Sequence, residues 1–101
     1  MAIYIDPPTW PGHGHLWSHL ISDESYEELH IFAARIGIPR RGFERDHYDV
    51  ISERYALAVA AGAQPVRSRE IVRLLIAAGL RRRRRSRLAA PPDWQADEQP
   101  S

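Results

Sequence analysis

Between Gly37 and Ile51 the chain sets three arginines, three acids, a histidine, a tyrosine and a phenylalanine in fifteen positions. A plain connector has no use for so many ionisable groups. At its end stands Asp46-His47-Tyr48-Asp49. In an extended strand, alternation puts His47 and Asp49 on one face and Asp46 and Tyr48 on the other. An imidazole and a carboxylate so paired can orient a proton near neutral pH or share a metal ion. A satisfied buried histidine fits the same pattern.

Other segments offer partners for that pair. Asp6 closes an apolar run, and Val66-Arg67-Ser68 opens a helical pattern. If the strands before them are parallel, these groups meet along one sheet edge, where ligands of open α/β sheets bind. Asp6 and Asp49 then form a divalent-metal site, Mg²⁺ or Mn²⁺, because such ions bridge carboxylates and phosphate. Ser68 and the free amides of its helix face anions there, and Arg67 and Arg41 add guanidinium groups. The structural alternative is that Asp6 caps a turn, Ser68 only caps a helix and Arg67 is solvated.

The remaining histidines give weaker patterns. His13, His15 and His19 have a spacing that can hold Zn²⁺ if the loop folds back. Flanking glycines read equally well as flexible loop. His19 and His47 are the acid–base candidates. His30 lies at the border of a helix's apolar face, and Tyr48 and His30 are candidate substrate contacts. Arg40, Arg41 and Arg45 surround Phe43, an arrangement that can grip phosphate and stack a base. Trp10 and Trp17 read as core or lid residues.

The elements that must position these groups follow from turn and cap signals. Ala2–Ile5 reads as a strand stopped by Pro7 and Pro8, and Leu16–Ile21 as a second. Ser25 with Glu28 forms a capping box for a helix over Tyr26–Ile36, closed by Gly37. His47–Ile51 is a strand, Ser52 caps a helix over Glu53–Ala61, and Ala63–Val66 is a short strand. Ser68 caps a last helix over Arg69–Ala78, ended by Gly79. Alternating elements with short links imply right-handed crossovers. The expected fold is α/β, with a small three- to four-stranded, mostly parallel sheet and about three helices. The alternative is an α+β arrangement with a hairpin made by the first two strands.

Composition sets outer limits. A chain of 101 residues forms one domain with a single core. The absence of cysteine excludes disulfides and thiolate metal sites and suits a reducing cytoplasm. No leader segment is expected, and no apolar run reaches the roughly 18 residues a membrane span needs. All 14 basic residues are arginine. Residues 1–80 carry 8 Arg against 10 acids, and residues 81–101 carry 6 Arg against 3. The domain is therefore placed at 1–80, followed by an Arg-rich, then Pro-rich and acidic flexible tail. The Arg81–Arg85 run reads as a non-specific polyanion contact.

Several strings together, Ile5-Asp6-Pro7-Pro8, Trp17-Ser18-His19-Leu20, Ser22-Asp23, Glu28-Leu29-His30, Pro39-Arg40-Arg41, His47-Tyr48-Asp49-Val50, Gly62-Ala63 and Ser68-Arg69-Glu70, resemble the bacterial and phage family called domain of unknown function 4031. The resemblance covers about residues 3–80. It implies no particular activity, but it directs attention to Asp6, His19, Asp23, His30, Arg41, His47, Tyr48 and Asp49. More distantly, the order of segments is similar to PIN-like nucleases, which hold Mg²⁺ or Mn²⁺ between acids at parallel strand ends. Ser68-Arg69-Glu70 departs from the Thr-Arg-Asp usual there, so either Glu70 serves or that metal site is absent.

Two functions fit these expectations. One is a cytoplasmic domain that binds, and hydrolyses with a divalent metal, a phosphate-containing substrate such as a nucleotide or nucleic-acid end. The other is a non-catalytic interaction module whose polar motifs are structural.

Overall fold

Strand β1 (Ile3–Ile5) is followed by β2 (Trp10–Gly12) and β3 (His15–Ser22), then helix α1 (Tyr26–Arg35). After a 3₁₀ turn at Arg40–Gly42 come β4 (Phe43–Glu44) and β5 (His47–Ile51). A second 3₁₀ turn at Ser52–Arg54 leads into α2 (Tyr55–Ala60), β6 (Gln64–Pro65) and α3 (Ser68–Ala78). This is a computed structural model, and it describes residues 2–82.

The fold is α/β with three helices, but the sheet differs from expectation. It has six strands in the order β4-β5-β3-β1-β6, with β2 also on β3. Only β1 and β6 pair in parallel; the other four pairings are antiparallel. For β2–β3 and β4–β5 the reason is connection length, since two-residue links allow only hairpins. β2 and β3 are joined by His13 and Gly14, both with positive φ (50° and 76°). That is the backbone twist a tight hairpin requires. Here His-Gly stands where Asn-Gly would have announced it.

The helix signals hold with local changes. The Ser25 hydroxyl accepts from the Glu28 amide at 3.0 Å, and Gly37 takes φ +78° beyond the end of α1. Ser52 instead donates to the Glu53 carboxylate, so its segment starts as a 3₁₀ turn. α3 begins one residue early, at Ser68, with Arg67 at the N-cap position and no side-chain cap bond.

One face of the sheet carries Ile3, Ile5, Leu20, Tyr48 and Val50, packed on Leu29, Phe32, Ala33 and Ile36 of the α1 segment and Ala58 of α2. The opposite face is covered by α3, whose Ile71 and Leu75 enclose Ile21. The rest of that face, from Trp17 and His19 to Asp49 and Ile51, borders an open cleft. Packing continues past Leu80, since Tyr26 donates to the Leu80 carbonyl and Arg81 and Arg82 reach Asp46. The remainder of the arginine run and the Pro-rich, acidic extension lie outside the described residues. Among the described residues, no helix is long and apolar enough to cross a membrane.

Candidate functional site

Strand register brings the polar groups together. His19 of β3 stands directly opposite Asp49 of β5, and directly opposed residues point to the same face. His47, two residues before Asp49, shares that face. β1 runs into Asp6 beside His19, where the Asp6 amide donates to the His19 carbonyl at 3.2 Å. The His19 and His47 rings meet edge to face at 4.9 Å. One ligand atom from each of His19, His47 and Asp49 lies within 4.8 Å of the others.

Each histidine is anchored from behind. Asp6 is fully buried; its Oδ1 accepts the His19 amide at 2.6 Å and its Oδ2 meets His19 Nδ1 at 2.9 Å. Trp10 Nε1 also donates to this carboxylate, at 3.2 Å. Asp46, likewise fully buried, meets His47 Nδ1 through Oδ1 at 2.9 Å. Its Oδ2 accepts from the Arg82 amide at 3.0 Å and from Arg81 Nη1 at 3.4 Å. Both Nδ1 atoms are thus occupied, which leaves each Nε2 for the centre. His47 Nε2 already lies 3.2 Å from Asp49 Oδ1.

Electrostatics agrees with this arrangement. Burial pushes the Asp6 pKa up, but the side-chain and backbone hydrogen bonds from His19, its charge and Ser68 outweigh burial and hold it below the ordinary value. Burial opposes charge on His47, yet hydrogen bonds and attraction from Asp49 and Asp46 raise its pKa. Asp49 is the open member, its side chain 45% exposed against 14% for His47.

The open side faces a cleft of about 580 Å³. His19, Asp49, Trp10 and Trp17 line one part, Arg41 and Arg54 another. Arg54 donates to the Ile36 carbonyl at 3.4 Å, whereas Arg41 is exposed.

A family model described as protein of unknown function (DUF4031) matches residues 3–78, three quarters of the chain. The chain belongs to the DUF4031 family. No curated protein and no solved structure matches it. The DUF4031 match contains Asp6, His19, Asp46, His47 and Asp49, and it ends before Arg81.

Other residues singled out in this DUF4031 sequence lie elsewhere. Tyr48 and His30 are on the opposite face, with His30 Nδ1 2.7 Å from the Tyr48 hydroxyl and both rings against Phe43. Arg67 is exposed at the start of α3, and Glu70 pairs with Arg73 on the helix surface. Asp23 ties down the N-terminal strand through the Ala2 amide and the Tyr4 hydroxyl. The three-histidine zinc set does not assemble among the described residues, because His13 and His15 flank the β2–β3 turn and His15 packs on Trp17. Sequence reasoning missed Asp46 and Trp10 as anchors and Arg54 altogether, and it read Arg81 as part of a polyanion-binding run rather than as a partner of Asp46. A buried aspartate immediately before His47 was the available signal.

His30 carries a stability prediction. Burial first, then the Arg40 charge, lowers its pKa, so the native state resists protonation more than the unfolded chain does. The neutral form's contribution is complete above the ordinary value of about 6.5 and is lost as pH falls through the depressed native value. Urea unfolding at pH 7.5 and pH 5.5 should show a smaller stability loss for His30→Gln than for the wild type.

Proposed function

We propose that this chain holds one divalent metal ion through His19, His47 and Asp49 and uses it to hydrolyse a phosphate ester. The observation that carries this reading is the matched pair of buried anchors. Asp6 and Asp46 each take the Nδ1 side of one histidine, while His47 Nε2 lies 3.2 Å from the half-exposed Asp49 and one ring nitrogen of His19 falls within 4.8 Å of both. Carboxylates behind metal-bound histidines fix the tautomer and raise ligand basicity. Three protein ligands with open positions is the pattern of a catalytic rather than a structural centre.

In this reading Asp6 orients His19 instead of touching the ion, since both its oxygens are engaged. His19 and His47 become ligands. Two imidazoles suit Zn²⁺ best and favour Mn²⁺ over Mg²⁺, which prefers oxygen donors. The ion supplies a Lewis acid for a phosphoryl oxygen and a bound water acidic enough to react near neutral pH. Arg41, and Arg54 beside it, contribute charge that suits a phosphate. Water adds across the ester: one P–O bond forms, one breaks, and the leaving oxygen takes a proton from water.

Chelator-stripped protein assayed on bis(4-nitrophenyl) phosphate tests the reading. Turnover should be absent after stripping, return with Mn²⁺ or Zn²⁺, and be lost in Asp49→Asn. Turnover that survives stripping, or none with any added ion, contradicts it.

The competing reading is a non-catalytic interaction module, favoured by the internal hydrogen bonding of Asp6 and Asp46. It requires that no divalent ion raise the melting temperature. A rise with Mn²⁺ or Zn²⁺ counts against the module.

A further inference from the structure

Of the three candidate ligands, His19 and Asp49 line the cleft, and the wall beside them is aromatic. Trp10 and Trp17 stand directly opposite each other on β2 and β3, so their indoles share the face that carries His19 and Asp49. Trp10 is 46% exposed, although its Nε1 is held by Asp6 and its ring packs at a steep angle on His19, centroids 5.1 Å apart. Trp17 is fixed by donating from Nε1 to the Gly12 carbonyl at 2.8 Å. Two indoles held by their polar edges keep their positions while leaving ring surface on the cleft. Core packing does not explain them. Neither belongs to the buried clusters on either side of the sheet.

Across the cleft, the Arg40–Gly42 turn presents Arg41, which makes no hydrogen bond or ion pair among the described residues. Arg54 lines the same cleft, its guanidinium over Gly37 and bonded to the Ile36 carbonyl. Glu44, also on the lip, is balanced by Arg45 at 3.8 Å. The cleft therefore joins an aromatic wall, a candidate divalent centre and an unpaired guanidinium. A cavity of about 580 Å³ suits a ligand of small-molecule size.

We propose that the substrate of this site is a nucleoside phosphate, its base lying against Trp10 and Trp17 and its phosphate held between the metal and Arg41. The inference rests on the phosphate-ester reading above and names the substrate class for it. Sugar phosphates and inorganic phosphate offer nothing to the indoles. A base has a π-face to stack whatever its sequence. The source is either a free nucleotide or the end of a single strand, both presenting the same chemistry.

Titration calorimetry of the Mn²⁺-loaded chain with adenosine 5′-monophosphate and ribose 5-phosphate tests it. The nucleotide should bind on the order of 10- to 100-fold more tightly, the range expected for one base stacked on an aromatic ring, and should quench tryptophan fluorescence. Trp10→Ala should bring the ratio of the two Kd values close to one. Trp10→Phe, which keeps a ring but loses the bond to Asp6, should retain most of the ratio. That variant separates stacking from anchoring. Equal Kd values in the wild type, or an unchanged ratio in the Trp10→Ala, Trp17→Ala double variant, overturn the base assignment alone. Failure of both compounds to bind the metal-loaded chain overturns the phosphate reading beneath it. A short oligothymidylate that outcompetes thymidine 5′-monophosphate identifies the strand end as the source; equal affinity identifies the free nucleotide.

Discussion

Replacing His47 with alanine should weaken divalent-ion binding by more than about 100-fold, because losing a ligand exceeds the 10- to 100-fold typical of losing the group behind it. The same loss is expected for His19→Ala. Both substitutions also strand a buried carboxylate, so a fall in affinity could reflect damage to the fold. Asp49→Asn separates the two causes. Its side chain is 45% exposed and its bond is to His47 alone. It should weaken the ion comparably while leaving the melting temperature of the metal-free protein within about 2–4 °C of the wild type, the scale of the roughly 0.5 kcal/mol typical of surface changes. Calorimetric titration with Mn²⁺ and Zn²⁺, beside thermal melts without metal, reads both quantities. Metal binding unchanged in Asp49→Asn would remove that residue from the centre.

Asp46→Asn should lower both stability and metal affinity. The aspartate accepts from His47 on one oxygen and from Arg81 and the Arg82 amide on the other, with no exposure to solvent. An asparagine of the same size can satisfy only one side. Its amide nitrogen then faces donors, at a cost of about 1–3 kcal/mol for the unpaired buried group. For a domain of this size that is a fall in Tm of roughly 4–8 °C per kcal/mol. The orienting role adds a second effect, a 10- to 100-fold weaker Kd for the ion, on the order seen for lost outer partners. A purely structural Asp46 would move the melt and leave the Kd of the folded protein unchanged.

Much of the site could be read from the chain, because its key pair is local. The alternation of His47 and Asp49 depends on one strand's geometry and survived folding. Asp46 did not obey the same rule. It sits in the β4–β5 turn, just ahead of β5, so strand alternation no longer governs it and its carboxylate curls back to His47. Tyr48 and His30, both expected as substrate contacts, meet on the far side of the sheet. Facing direction there follows from β5 pleating with Tyr48 inward, which brings its hydroxyl under α1.

The helices were legible through Ser25, Gly37 and Gly79, whose effects reach only a turn or so. Strand pairing was not. β2 and β4 are three and two residues long, too short for a period to show. The pairing of β3 with β5 joins segments about thirty residues apart and is decided by the core that Leu20, Tyr48 and Val50 build together. Expecting parallel strands put the acids at a shared edge. The antiparallel sheet brings Asp6 and His19 together for a different reason, as neighbours across β1 and β3.

The central claim is that two imidazoles and one carboxylate surround a single ion. X-ray absorption at the zinc edge of the Zn²⁺-loaded chain tests it most directly. The account predicts two histidine nitrogens and at least one oxygen at about 2.0–2.2 Å, with one histidine lost in His19→Ala. A spectrum with oxygen neighbours only, or one unchanged by His19→Ala, would contradict it.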